Sequence, residues 1–315
     1  RESHDDRPTH RLPDGVVALM ARFGRILTAM VTPFDDAGEL DVDAAVSLAK
    51  WLVEQGNEGL VVCGTTGESA TLSIDEKLML FEAVVNAVTV PVIAGTTGSN
   101  TRHDIGLTEE AGHLGVAGIL GVCPFYSRPS QAGIETHFRA IATSTDLPVV
   151  LYDIPKRTGR KIDSTTIVRL ANDVPNIVAL KDAAGNPGAT AAVAANTPAD
   201  FEIYSGDDSM TLPLLAVGAV GAIGVATHWC APDHVEMFDA WHSGDTDLAR
   251  RINARQLESY EFETSDDAPN PVPSKAMLRT LGHAVGECRS PMGPTPHGLE
   301  HAARGVYERL VAARG

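Results

Sequence analysis

The residue in this sequence best placed to do chemistry is a lysine at the end of a short apolar run. Lys181 directly follows Asn176-Ile177-Val178-Ala179-Leu180 and precedes Asp182. An ordinary lysine, with a pKa of ~10.4, is neutral only about once in a few thousand molecules at pH 7. Apolar walls disfavour the ammonium and bring such an amine to ~7–8, where it becomes a usable nucleophile towards carbonyls. Position alone leaves a second reading open, a stem that snorkels to water or pairs with Asp182.

Its potential partners lie in three other segments. Gly64-Thr65-Thr66-Gly67-Glu68-Ser69 carries two glycines and three hydroxyls, a composition that presents N–H and O–H groups to a small carboxylate. An ordinary strand-to-helix turn is the blander alternative, and without GK[ST] the segment is no nucleotide-binding loop. Gly95-Thr96-Thr97-Gly98 reads as a plain turn. Tyr152 closes the apolar run before that of Lys181, so its phenol is placed to reach the amine, with Thr65 as the next link of a proton relay. A tyrosine with its ring in the core and its hydroxyl in water is the common alternative. Arg157 stands in the Pro155–Gly159 loop and suits a bidentate grip on a carboxylate, or a surface salt bridge. The 11 histidines are scattered without HxH or HExxH spacing, which disfavours metal-dependent aldol chemistry.

The elements that must position these residues alternate strictly. Strands are expected at Ile26–Val31, Gly59–Cys63, Val90–Ala94, Gly118–Val122, Leu147–Tyr152, Ile177–Lys181, Phe201–Ser205 and Ala219–Val225. Most are continuous apolar runs, as in parallel strands buried on both faces. Helices fall between them. One has apolar residues at 42, 45, 46, 49, 52 and 53, Asp41 as N-cap and Gly56 as stop. The next opens on the capping-box pair Ser73 and Glu76. Others fit Arg102–Leu114, Gln131–Thr143, Ser164–Ala171, Gly188–Ala195, Met210–Val217 and Pro232–Ser243. Eight βα units predict an α/β (β/α)8 TIM barrel, whose catalytic groups sit at the C-terminal strand ends. A doubly wound open sheet is disfavoured because no GxGxxG follows the first strand. The expected division is a flexible N-terminal extension over 1–22, the barrel over 23–243, and two or three helices over 244–315.

Bulk composition narrows the partners. With 41 Asp+Glu against 25 Lys+Arg, the formal charge is −16. Nucleic acid and anionic membrane surfaces are poor partners for such a chain, and no apolar stretch reaches the ~18 residues of a membrane span. The four cysteines are far apart, which fits small core residues rather than disulfides or a zinc site. The expected location is the cytoplasm.

Taken together, Gly64-Thr65-Thr66-Gly67-Glu68, Tyr152-Asp153-Ile154-Pro155 and Lys181-Asp182 resemble the pyruvate-dependent class I aldolase superfamily, over roughly residues 24–310. This superfamily includes N-acetylneuraminate lyase and the dihydrodipicolinate synthase (4-hydroxy-tetrahydrodipicolinate synthase) family. Three features resemble the synthase branch: Thr66 after Thr65, Arg157, and Phe125-Tyr126-Ser127-Arg128-Pro129. The resemblance implies a lyase that joins pyruvate, as a Schiff base, to L-aspartate β-semialdehyde in lysine and diaminopimelate biosynthesis. It also implies no cofactor or metal, and a homotetramer built as a dimer of dimers. By residue, it implies that Lys181 forms the imine, that Thr65 and Thr66 hold the pyruvate carboxylate, and that Arg157 anchors the semialdehyde. Tyr152, Thr65 and Tyr126 would relay protons, Tyr126 entering from the neighbouring subunit. Gly206 and Ile223 would line the pocket.

Two departures stand out. Asp153 occupies a place where many members have Asn. At the family's lysine-effector cleft, sensitive members carry histidines and a tyrosine where this chain has Ile74, Lys77 and Phe125. Ser69, Ala70, Asn100 and Asp104 would line what remains, and Lys77 would repel a cationic ligand, so weak or absent lysine inhibition is expected. The rivals are a sibling aldolase acting on a 2-keto-3-deoxy sugar acid or another aldehyde, and a non-catalytic barrel that binds a small molecule.

Overall fold

The structure, a computed structural model, describes residues 9–11, 17–19 and 21–314. The expected flexible extension over 1–22 falls largely outside the described residues. Those described there include a short antiparallel ribbon, Thr9–Arg11 against Val17–Leu19.

Eight parallel strands close into a barrel in chain order. They are β1 (Ile26–Ala29), β2 (Gly59–Val62), β3 (Val92–Gly95), β4 (Gly118–Val122), β5 (Val149–Asp153), β6 (Ile177–Asp182), β7 (Glu202–Ser205) and β8 (Gly221–Gly224), with β8 paired to β1. The connecting helices are α1 (Val42–Glu54), α2 (Ile74–Ala87), α3 (Thr101–Gly112), α4 (Gln131–Thr143), α5 (Ser164–Asp173), α6 (Pro187–Ala194), α7 (Thr211–Leu215) and α8 (Thr227–His242). The expected (β/α)8 TIM barrel is what forms. Three further helices follow: α9 (Thr246–Phe262), α10 (Val272–Thr280) and α11 (Leu299–Ala312).

Local chemistry sets the helix starts. The Asp41 carboxylate accepts from Ala44 N at 2.9 Å, and Gly56 takes the left-handed φ of 100° that ends the turn after α1. Ser73 and Glu76 form the reciprocal capping box of α2. At α8 the start differs from expectation. The helix begins at Thr227, and Pro232 lies inside it. Proline is common at the first helical position, which made Pro232 look like the start. Burial of His228, Trp229, Cys230 and Ala231 holds the preceding turn helical despite the missing N–H.

Successive strand residues face opposite sides, so two cores form. Leu27, Val61, Ile93, Leu120, Val150, Ala179, Tyr204 and Ile223 fill the barrel interior together with Phe23. Leu60, Val62, Val92, Ile119, Val149 and Leu151 point outward under the helices. Each fully buried aliphatic side chain contributes about 1.5–3 kcal/mol. The alternation puts Ala179 and then Lys181 inward at the mouth.

Strand closeness depends on glycine at β3. A Cβ on Gly95 would lie 2.3 Å from the Cys63 carbonyl oxygen, a backbone atom that cannot yield as a side-chain tip would. Gly95→Ala is therefore expected to cost on the order of 3 kcal/mol. A thermal midpoint within a degree of the parent would show that the barrel absorbs the methyl.

Candidate active site

The register of the barrel brings the predicted residues together. Tyr152 of β5 pairs with Lys181 of β6, which pairs in turn with Tyr204 of β7, so the three side chains share one inward layer. Lys181 is 3% exposed and Tyr152 is 4% exposed. The Lys181 Nζ stands 4.4 Å from the centroid of the Tyr152 ring, and the Tyr152 hydroxyl is hydrogen-bonded to Thr65.

The alternative in which Lys181 pairs with Asp182 is not realised. Asp182 points to the other face, accepting from Thr190 Oγ1 at 2.6 Å and Ala184 N at 2.9 Å. Burial lowers the Lys181 amine to about 8, against the opposing pull of Asp208 and Glu263 and with help from the Arg157 cation. Burial pushes the Tyr152 phenol up to about 12, with Arg157 and the Thr65 hydrogen bond pulling the other way. The pair thus combines an amine that loses its proton near neutrality with a phenol that keeps its own. That is the arrangement needed to attack a carbonyl and pass protons to the oxygen it sheds.

Gly206 follows β7 beneath the lysine stem. A Cβ there would lie 2.8 Å from Lys181 Cγ and 3.0 Å from Cε, so only glycine leaves the stem its path. Ile223 is fully buried in the interior core with Tyr152 and Tyr204.

A cavity of about 610 Å³ runs along the mouth past Thr65, Tyr152 and Arg157. Arg157 is at the exposed rim and donates to the Asn270 carbonyl at 3.0 Å. The loop that carries it is fixed by Asp153, which is 1% exposed and accepts from Lys161 Nζ at 2.6 Å and Ile162 N at 3.0 Å. The Asp at this place is thus neutralised locally by Lys161.

Thr66 is buried, and its Oγ1 accepts from Asn270 Nδ2 at 2.9 Å. Asn270 is a site residue that sequence reading missed. It lies in the proline-rich segment after α9, where no local signal marks a pocket residue. Glu68 was missed as well. It is 5% exposed, adopts φ 54°, and pairs with the buried Lys275 of α10 at 2.8 Å while accepting from Arg289 N at 2.9 Å. The far end of the same cavity is lined by Ser69, Ala70, Asn100 and Asp104 together with Lys77 and His103. Asp104 is 2% exposed and accepts from Gly98 N at 2.9 Å. Tyr126 is not brought to Lys181 within the single chain. It is 93% exposed, with φ 67°.

Among the described residues, no group of three or more His, Cys, Asp or Glu is arranged to hold a metal ion. None of the described helices is long and apolar enough to cross a membrane.

Comparison with known proteins adds the following. The sequence profile of the dihydrodipicolinate synthetase family matches residues 22–305. A 4-hydroxy-tetrahydrodipicolinate synthase from a Cyanothece species is 45% identical over 296 residues, covering 92% of this chain and 99% of the relative. Among solved structures, the dihydrodipicolinate synthase of Cyanidioschyzon merolae with lysine bound superposes with a TM-score of 0.89 at 42% identity. That match covers 92% of this chain and 99% of the other. The chloride-inhibited dihydrodipicolinate synthase of Acinetobacter baumannii complexed with pyruvate superposes with a TM-score of 0.87 at 32% identity, again over 92% and 99% of the two chains.

Crowding of the lysine stem gives a direct check on the site. Gly206→Ala is expected to slow formation of a reducible imine at Lys181 by about 10²-fold, since displacement of a nucleophile by an ångström costs that much. The far-UV circular dichroism should be unchanged. Parent-like imine formation would mean that the stem takes another path.

Proposed function

The chain belongs to the dihydrodipicolinate synthetase family, and we propose that Lys181 is the amine through which it acts. The activity is the Schiff-base condensation of pyruvate with L-aspartate β-semialdehyde to 4-hydroxy-tetrahydrodipicolinate, a lyase step of lysine and diaminopimelate biosynthesis. The observation that carries the assignment of Lys181 is its burial at the barrel mouth, against Tyr152 and with its amine lowered to about 8.

The proposed steps use these residues as follows. The neutral Lys181 amine attacks the keto carbon of pyruvate, whose carboxylate rests on Thr65 and Thr66. Tyr152, coupled to Thr65, delivers the proton with which the carbinol oxygen leaves as water. Loss of a methyl proton turns the imine into an enamine, the iminium nitrogen having served as electron sink. The enamine carbon then adds to the aldehyde of the semialdehyde, whose own carboxylate is gripped by Arg157 at the rim. Attack of that substrate's amine on the imine carbon closes the ring and releases Lys181. Gly206 leaves room for the lysine stem, and Ile223 backs the pocket.

Tyr126 supports a multimeric site. A tyrosine that is 93% exposed in a left-handed conformation, at the end of the strand beside Tyr152, is shaped for insertion into a second copy. The proposed assembly is a homotetramer of two such dimers, acting in the cytoplasm without a metal or cofactor.

The effector cleft is proposed to bind lysine poorly. Ser69, Ala70, Asn100 and Asp104 line it, but Lys77 is 9% exposed and shares the cavity with them. An ammonium ligand would meet that second amine in a confined space, at a cost that partial desolvation enlarges.

Three experiments check these readings. Incubation with pyruvate followed by borohydride should add one pyruvate-derived mass, lost in Lys181→Ala. In the parent, kcat/KM for pyruvate should fall about tenfold per pH unit below about 8, as the amine takes up its proton. An adduct that survives Lys181→Ala sinks the assignment. In a steady-state assay, L-lysine should leave the rate almost untouched, and half-inhibition at sub-millimolar lysine would refute the reading of the cleft.

A further inference from the structure

A two-pronged grip on a carboxylate depends on where the plane of the guanidinium stands, so Arg157 must be offered from one fixed direction. Yet it is exposed, on the segment 154–163 between the end of β5 and the start of α5. Connecting segments of this kind are ordinarily the loosest parts of a fold. Here the segment is closed on itself. Arg157 N and Thr158 N both donate to the Ile154 carbonyl at 3.0 Å, and Gly159 N donates to that of Pro155 at 2.9 Å, which makes the single helical turn Pro155–Thr158. Thr158 is 3% exposed and shares its hydroxyl proton between the Ile154 carbonyl at 3.1 Å and the Arg160 carbonyl at 2.8 Å. From α4, Gln131 donates to the Lys161 carbonyl at 2.9 Å and accepts from Asp163 N at 3.0 Å.

The two ends of the segment meet at Asp153. This residue follows Tyr152 on β5, so its side chain leaves the strand on the opposite face. Oδ1 accepts from Ile162 N at 3.0 Å and Oδ2 from Lys161 Nζ at 2.6 Å. The residue type matters. A carboxylate only accepts, so it serves both donors. An asparagine would still accept from Ile162 N, but it would turn a second donor, its Nδ2, towards the Lys161 ammonium. Asp153 thus ties the start of the segment to its end by two hydrogen bonds, where an amide would leave one.

We propose that Asp153 and Lys161 are a positioning pair for the acceptor substrate. They hold the segment in the shape that presents Arg157 to the semialdehyde carboxylate, and they take no part in forming the imine with pyruvate. The part concerning the acceptor rests on the reading of Arg157 as its grip. The closure of the segment does not.

The two halves of the reaction can be measured apart in the full-length enzyme. Asp153→Asn should lower kcat/KM for the semialdehyde about tenfold, mainly as a rise in KM, because displacing a gripping group weakens binding. Imine formation with pyruvate, trapped by borohydride, should stay within about twofold of the parent rate. Amide hydrogen exchange over residues 154–162 should quicken by about fivefold or more. Lys161→Met strands a buried carboxylate and should do at least as much harm. The double variant Asp153→Asn, Lys161→Met should do no more than Asp153→Asn alone, and it makes the same comparison if Lys161→Met does not fold. In an Arg157→Ala background, Asp153→Asn should bring no further loss in kcat/KM for the semialdehyde. A further loss there, an equal fall in imine formation, or unchanged exchange overturns the proposal. If Arg157→Ala by itself leaves kcat/KM for the semialdehyde at the parent value, the reading of Arg157 falls, and the pair's role towards the acceptor falls with it. Faster exchange in Asp153→Asn would then still uphold the closure of the segment.

Discussion

An ammonium ion resists removal from water, and the mouth of this barrel is built on that resistance. Lys181 is taken almost wholly out of solvent by Tyr152 on one strand, Tyr204 on the next and the backbone of Gly206 below. Among the described residues no carboxylate forms an ion pair with it at contact, and a close ion pair would favour the ammonium over the nucleophilic amine. Asp182, adjacent in sequence, is turned away and satisfied by Thr190 and Ala184. The negative charge that does act on it comes from further back, through Asp208 and Glu263.

The Gly64–Ser69 turn is secured in the opposite manner, by charge. Glu68 is buried in a left-handed conformation that costs a non-glycine residue about 1–3 kcal/mol. It persists because Lys275 and the Arg289 N–H fix its carboxyl, and because Lys275 and Arg289 both lie 4.2 Å from the Phe34 ring. Thr32 adds a hydrogen bond to the Gly67 carbonyl at 2.7 Å. A buried ion pair of this kind adds little net stability, yet removing one partner leaves a stranded charge and costs ~3–5 kcal/mol. It fixes the shape of the turn more than the stability of the fold.

Much of this was legible in the sequence, for identifiable reasons. Most of the eight runs are nearly continuous and apolar because parallel strands are buried on both faces, and their ends located Thr65, Tyr152 and Lys181 without any contact being known. The caps Asp41 and Ser73 act within a few residues, so they too could be read directly. What escaped depends on distance along the chain. Asn270 meets Thr66 across 204 positions, and nothing local marks an Asn in a proline-rich stretch as part of a pocket wall. Nothing local marks Glu263, beside an acidic segment, as carrying a buried carboxyl oxygen. Pro232 misled because a start signal lost to the packing of the turn before it. Tyr126 was named from family resemblance alone, and in the single chain it is exposed, away from Lys181.

The bridge from Asn270 to Thr66 and Arg157 also bears on the order in which the protein comes into being. A ribosome delivers the turn at Thr65, the strand of Tyr152 and the strand of Lys181 well before residue 270. The barrel strands therefore exist as nascent chain while the wall that orients the carboxylate turn and the rim arginine is still untranslated. A chain released early carries the amine and lacks the receptacle. The pocket around Lys181 is thus finished only once the segment after α9 has been made and docks on Thr66 and Arg157.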